Sequence, residues 1–446
     1  MASWVSEIEN HLASRNGSDE VEHLNKHSIH RVPSFICDLN KNAYQPQLVS
    51  FGPYYHGAED LKPMEEHKRR ALYTFLKRSN KTISDYVKEI ECVVEELMEC
   101  YEELDKSWED RDRFLQLMIT DGCFLHEILR VGTGCSDGYH RKDPIFSSHG
   151  MLFNMPYFRR DILLIENQLP LRLLLKLVAI QTGEEESEDL KIRMNTKILK
   201  FFSREMPYPP VVHCLHVLDL YRTNMIQVPL PPGSGVPKGV GIPINQSSFR
   251  SYPSQTYSNS LGIIRSATEL HEAGVRFKKS KTDSLMDITF RNGVLRLPPI
   301  SVNDATECTL LNLMALERLH NGTGYQITSY VFFMDNILDS PKDVNLLRYR
   351  GILKRALGSD EALSKLFNRL SKDIAPDIDP NFPLVMIHQV LNRYCKNSWN
   401  KWRANLRHNY LFNPWVTSSV AAAVLLLLLG ISQTVYTILG YHKPPG

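Results

Sequence analysis

Arg159-Arg-Asp-Ile-Leu-Leu-Ile-Glu-Asn-Gln-Leu-Pro170 is the stretch on which the fold turns. Glu166, Asn167 and Gln168 interrupt a strongly apolar run that continues to Ile180. A run of that density belongs inside the protein, and polar groups carried inside with it must find hydrogen-bond partners. Two readings follow. In one, an internal network with Arg159, Arg160 or Asp161 satisfies them. In the other, a buried carboxylate with a raised pKa marks a site. Residues 162–180 and 114–130 both read as buried helices, so helix is the dominant element from the start.

Working outward, Val87, Ile90, Val94, Leu97, Tyr101, Leu104 and Trp108 alternate spacings of three and four in a strongly acidic segment. That is a helical heptad seam about three repeats long, for packing within the domain or for joining copies of the chain. Ser266-Ala-Thr-Glu269 is a capping box for a short helix that Gly274 ends. Asp304-Ala-Thr-Glu307 opens another helix, running to about His320. Ser340-Pro341 is an N-cap with a first-turn proline, and Gly358 is placed to end that helix near Leu357. The strand signal lies at Ile288-Thr-Phe-Arg291 and Val294-Leu-Arg-Leu297, joined by Asn292-Gly293 as a hairpin turn. Asp121-Gly-Cys-Phe-Leu-His-Glu127 reads as core with polar edges. Residues 132–144, 183–189 and 229–253 read as loops. The last is rich in Pro, Gly and Ser without periodicity, a disordered excursion or a recognition loop.

The predicted class is therefore mainly α, or α+β with one small β-hairpin. One large helical domain spans 29–411, with a flexible loop at about 229–260. Residues 1–28 precede it, and 412–441 follow as a single transmembrane anchor before a short tail, 442–446.

The anchor rests on the 24 residues of 416–439, which carry no charge. As a helix they reach about 36 Å at 1.5 Å per residue, enough to cross a hydrocarbon core of about 30 Å. Trp399, Trp402 and Trp415 stand before the span, with Tyr436 and Tyr441 at its far end, as an interfacial belt requires. Arg393, Lys396, Lys401, Arg403 and Arg407 flank it on the domain side, against Lys443 beyond. That asymmetry predicts a cytosolic domain, with the plasma membrane as the expected site. Four glycosylation sequons, at Asn16, Asn80, Asn245 and Asn321, fit the opposite orientation. The N-terminus lacks the basic start and apolar core of a secretory signal.

Composition removes further classes. With 446 residues, 43% hydrophobic and 23% charged, the chain is not disordered as a whole. A mean hydropathy of −0.27 does not suit a bundle of many membrane helices. A net charge of +2 argues against a dedicated nucleic-acid binder. It is a composite figure: six basic and no acidic residues follow Asp379, which leaves the preceding part at −4. The eight cysteines include no Cys-x-x-Cys pair, and most sit in apolar helical patterns, as reduced buried thiols do.

No phosphate loop, dinucleotide fingerprint, zinc-protease helix or nucleophile elbow is present in the sequence, and no cofactor is nominated. Two clusters remain as binding candidates. Tyr54, Tyr55 and His56 lie in the Gly/Pro-stiffened loop Ser50-Phe-Gly-Pro-Tyr-Tyr-His-Gly57, ahead of Met64-Glu-Glu-His-Lys-Arg-Arg70. Core packing, ligand or partner contact, and a His/Glu metal site are the readings there, the last without diagnostic spacing. Arg160, Asp161, Glu166 and Asn167 form the second cluster.

Taken together, these stretches resemble a plant family known as domain of unknown function 247. VSFGPYYHG (49–57), MEEHKRR (64–70), DGCFLHEIL (121–129), RRDILLIENQLP (159–170), ATELHEAGVRFK (267–278), the hairpin ITFRNGVLRLPPI (288–300) and LLNLMALER (310–318) carry the resemblance in order. Tyr55 stands where the family usually has a second His, and Arg172 where an aromatic usually follows, which argues against essential chemistry there. The resemblance implies a plant protein with a helical domain, a C-terminal anchor and no established enzymatic activity. Some grass members are associated with self-incompatibility loci as candidate pollen-side recognition determinants. The expected function is a membrane-anchored recognition or signalling protein that binds an unknown protein partner. The alternatives are a membrane-tethered enzyme using Glu166 and Asn167 or His56, and a scaffold that oligomerises through the acidic heptad helix.

Overall fold

The computed structural model describes residues 4–5, 27–37, 40–202, 212–228, 265–355, 358–372, 383–396 and 414–441. The predicted 229–260 loop and nearly all of 1–28 lie outside them. In chain order the helices and strands are α1 (Ser34–Cys37), α2 (Lys62–Arg78), α3 (Ile83–Glu91), α4 (Val94–Glu99), α5 (Arg111–Gly132), α6 (Ser148–Asp161), α7 (Leu171–Thr182), α8 (Glu188–Phe201), α9 (Val217–Ile226), α10 (Ala267–Glu272), β1 (Arg276–Lys279), β2 (Thr289–Arg291), β3 (Val294–Leu297) and β4 (Ile300–Val302). They continue as α11 (Thr306–Leu319), α12 (Gln326–Ile337), α13 (Pro341–Tyr349), β5 (Leu353–Arg355), α14 (Asp360–Leu370), α15 (Pro383–Lys396) and α16 (Pro414–Tyr441). The mainly helical class is as the sequence predicts.

The centre is α5. Asp110 caps it by accepting from the backbone N–H groups of Asp112 and Arg113, and fourteen of its 22 residues are buried. A helix apolar nearly all round must be enclosed; α2, α3, α6, α7 and α8 pack around it. Gly122 lets α7 approach, since a Cβ there would lie 2.4 Å from Leu177 Cδ1. The two carboxylates of the 121–127 stretch of α5 are not at a polar edge. Asp121 and Glu127 are wholly buried, and each takes a cation from α2. Lys68 Nζ, itself wholly buried, lies 2.8 Å from Asp121 Oδ1 and 2.7 Å from Glu65 Oε1. Arg78 pairs with Glu127, and Arg130 adds a second contact at 3.2 Å. Burial pushes the Glu127 carboxyl up, but bonds from His126 and Arg78 and the charge of Arg130 outweigh it and hold its pKa at about 2.

Several predicted elements come out differently. Residues 162–180 are not one helix: α6 ends at Asp161, 162–170 turn, and α7 begins after Pro170. A residue before proline is biased away from the α region; α6 accommodates Pro156 inside its run, but at Leu169-Pro170 the chain turns and helix resumes only at Leu171. The acidic seam is not one helix either. It breaks between α3 and α4, Tyr101 bridges to Ile29, and Lys106–Trp108 is a separate 3-10 turn. Ile90, Val94, Leu97, Tyr101 and Trp108 are buried inside the domain, so no continuous heptad helix is left among the described residues to join copies. α13 ends at Tyr349, not near Leu357, because Gly351, at φ 71°, turns the chain into β5. Asp304 does not cap α11: its N-cap is Ala305, with no side-chain cap, and Asn303 accepts from Ala305 N at 3.1 Å in the turn before it. Among the cysteines, only Cys123, Cys308 and Cys395 are buried, and Cys92 and Cys135 are exposed.

The hairpin is where the sequence puts it. Asn292 and Gly293 have φ of 51° and 71°, the double positive turn that twisted antiparallel strands need. Phe290 pairs with Leu295 across β2 and β3. β1 adds to the other edge of β3 in parallel, giving the order β1-β3-β2, and β4 pairs with β5 in parallel. α16 contains Ala421–Ile438, which is unburied and long and apolar enough to cross a membrane. Trp415 lies in its first turn, Tyr441 ends it, and Tyr436 is exposed. Trp399, Trp402, Arg403 and Arg407 lie outside the described residues.

Removing one partner of a buried ion pair strands the other charge, at about 3–5 kcal/mol. Lys68→Met is therefore expected to lower unfolding free energy by about that much in a urea titration of the detergent-solubilised chain. Adding Asp121→Asn should restore part of the loss. An unchanged midpoint for Lys68→Met would contradict the pairing.

Candidate functional site

Residues 47–52 enter the core from the exposed Gln47 and half-buried Leu48, are buried from Val49 on, and belong to no strand, so their backbone donors need partners from elsewhere. The 159–170 turn supplies most of them. Asp161, at the end of α6, accepts from the N–H groups of Gln47 (3.0 Å), Leu48 (2.7 Å) and Val49 (3.0 Å). Asn167 Oδ1 accepts from Phe51 N at 2.7 Å, and its Nδ2 donates to the Val49 carbonyl at 3.0 Å. Asp121 takes the next donor, Gly52 N, at 2.9 Å. Arg160 donates to Asp161 at 2.8 Å and to the carbonyls of Gln45 and Asn42. Gln168 faces the other way, donating to the Ile162 and Leu164 carbonyls and accepting from Leu218 N at the start of α9. Burial pushes the Asp161 carboxyl above its ordinary range, against the pull of those backbone donors and Arg160.

Glu166 reaches the N-terminal end of the domain. Its Oε1 accepts from Val32 N at 2.7 Å and its Oε2 from the Tyr55 hydroxyl at 2.6 Å, with Arg31 Nη1 3.9 Å away. Burial, then the Glu166 charge, raises the Tyr55 pKa, which keeps the phenol a donor. Tyr54 donates to the Ile29 and Glu102 carbonyls, and the Arg31 guanidinium lies 3.9 Å over its ring. Six of the seven binding candidates thus gather around one turn. His56 stands apart, its ring edge-on to Trp108 at 5.4 Å. Asp161, Asn167 and Glu166 spend the bonds above on the protein's own backbone and side chains, which is the internal-network geometry.

Sequence reasoning missed a histidine cluster, because its members lie up to 290 residues apart and no local spacing pairs them. His30 Nε2 is 3.2 Å from His320 Nδ1, and His30 Nδ1 is 3.2 Å from Glu102 Oε2. His216 is wholly buried. Its Nδ1 accepts from Asp219 N at 3.2 Å, so Nε2 carries the proton donated to the Ser28 carbonyl at 3.0 Å. Burial lowers all three pKa values, that of His216 to about 4. Among the described residues no group of three or more His, Cys, Asp or Glu is placed to hold a metal ion.

The outer face of α6 is a different kind of feature, also unmarked by the sequence reading. Gly150, Met151, Phe158 and Asp161 face the core. His149, Leu152, Phe153, Pro156 and Tyr157 repeat at three and four on the exposed side, forming one stripe. Leu152 is 71% exposed, Phe153 62% and Tyr157 49%. The signal available in the sequence was a short helix apolar on both faces. A contiguous exposed apolar patch of this kind is a candidate interaction surface.

Residues 29–429 match the family model described as a plant protein of unknown function, DUF247. The chain belongs to this family. It is similar to UPF0481 protein At3g47200 of Arabidopsis thaliana, 28% identical over 98% of this chain and 92% of that protein. It is also similar to putative UPF0481 protein At3g02645 of the same plant, 24% identical over 96% of this chain and 93% of that protein. No solved structure matches the chain.

The histidines set a pH window. A folded pKa below the unfolded value means that the unfolded chain binds more protons between about 4 and 6.5, so stability is complete above 6.5 and falls as pH drops toward 4. For His216 the loss amounts to roughly 3 kcal/mol. His216→Asn, which keeps an N-cap acceptor, is expected to flatten that part of the profile of thermal midpoint against pH. A variant profile as steep as the wild type would assign the acid sensitivity elsewhere.

Proposed function

We propose that this DUF247 protein is a membrane-anchored recognition protein that holds a protein partner against the outer face of α6. The observation that carries the reading is the stripe of His149, Leu152, Phe153, Pro156 and Tyr157, exposed beside a core whose polar turn is occupied with its own chain. Aromatic anchors of this type dominate protein interfaces, and leaving them in water has no evident structural return. The C-terminal apolar helix supports attachment to a bilayer. The basic residues on its domain side, Arg393, Lys396, Lys401, Arg403 and Arg407, support a cytosolic domain and an anionic leaflet such as that of the plasma membrane. Recognition in self-incompatibility is the most specific form of this reading, and its support is membership of a family some of whose grass members are associated with self-incompatibility loci.

Leu152→Asp with Phe153→Asp tests it. Exposed substitutions of this kind change stability by about 0.5 kcal/mol or less, so the thermal midpoint should hold. A partner co-purified with the full chain from plant membranes should be lost from the double variant. Retention of the same partner by the variant would rule out α6 as the binding face.

A further inference from the structure

A cavity of about 290 Å³ opens between α5, α7 and α8, lined by none of the residues assigned above to the polar turn or the α6 stripe. Its apolar wall comes from Leu129 of α5, Leu174 and Val178 of α7, and Leu190 and Met194 of α8. Its cations come from the same face of α8. Arg193 and Lys197 are four residues apart and both line the space. Arg193 is paired at an exposed position with Glu184, whose carboxylate also lines the space. Lys197 is half-buried and its ammonium makes no hydrogen bond or ion pair with a described residue; burial lowers its pKa, against the more distant charge of Glu127, which Arg78 and Arg130 already hold. His126, held edge-on to Phe75 with Nδ1 3.4 Å from Glu127 Oε1, closes the same side.

A half-buried ammonium whose nearest carboxylate is already shared between two arginines is only partly compensated, and two cations at i and i+4 repel each other. The arrangement makes sense if something anionic completes it. We propose that this cavity binds a small amphipathic carboxylate, its acid group on Lys197 and its apolar body against Leu129, Leu174, Val178, Leu190 and Met194. One water molecule needs about 10–15 Å³ of such space, so a cavity of about 290 Å³ has room for a molecule of about ten heavy atoms. Medium-chain fatty acids have that size and that polarity. With Arg193 engaged by Glu184, Lys197 supplies the orienting charge to a mostly apolar slot, the usual division of labour between orientation and affinity in a small-molecule site.

Octanoate is the probe, with 1-octanol as the uncharged match, titrated calorimetrically into the full chain in lipid nanodiscs with empty discs subtracted. The expected result is saturable binding of octanoate at least tenfold tighter than octanol. Lys197→Met should remove that preference by weakening octanoate at least tenfold while leaving octanol binding, and so the slot, intact. Val178→Phe, which fills the slot, should abolish binding of both probes. No saturable octanoate signal up to about 10 mM, equal affinities for the two probes, or unaltered octanoate binding by Lys197→Met would overturn the assignment.

Discussion

A buried run of backbone with no strand partner is the constraint on which the molecule is built. The N–H groups of Gln47, Leu48, Val49, Phe51 and Gly52 are met by Asp161, Asn167 and Asp121. Each such donor left unmet in the interior would be unfavourable by about 1–3 kcal/mol. Asp161 ends α6, Asn167 lies in the turn before α7, and Asp121 belongs to α5. One extended segment therefore fixes three helices relative to each other. Gly52 shows how close the fit is: it has a φ of 73°, and a Cβ there would lie 2.9 Å from the Tyr101 hydroxyl and 3.1 Å from the Gln168 carbonyl. The exposed stripe of α6 and the α7 wall of the cavity both hang from this turn.

The core around that turn is more charged than an apolar interior would suggest. Lys68 and Asp121 meet with both side chains out of water, and Arg222 and Glu317 do so between α9 and α11. Glu317 also accepts from Ile327 and Thr328 at the start of α12. Buried pairs of this kind add little net stability over apolar residues, but they penalise any arrangement that separates them. In a chain of many similar apolar helices, that penalty selects one packing.

What the sequence showed of this was its local part. The Asn292-Gly293 hairpin, the caps at Ser266 and Ser340 and the length of α5 each depend on residues a few positions apart, and all are found. The polar turn was legible as a demand: Glu166, Asn167 and Gln168 had to be satisfied. Its answer was not, because the partners lie at Val32, 47–51 and Leu218. Apolar periodicity carried across two breaks that it could not see, in the 162–170 turn and at Cys92-Val93. In the first, hydrogen bonds to 47–52, Val32 and Leu218 outweighed the pattern; the end of the acidic seam is held instead by the bridge of Tyr101 to Ile29. The same reasoning applied to Gly358, but Gly351 turns the chain first. The histidine cluster and the parallel pairing of β1 with β3 have no local signature at all.

The central claim is that side chains from the 161–167 turn hold residues 47–52 in place of a strand partner. Native-state hydrogen exchange of the full chain, followed by mass spectrometry on peptides covering 45–53 and α5, tests it directly. In the wild type the 47–52 amides should exchange only with global unfolding, as slowly as α5. Asn167→Ala should open that peptide locally while α5 keeps its protection. Fast exchange of 47–52 in the wild type, or no change in the variant, would contradict it.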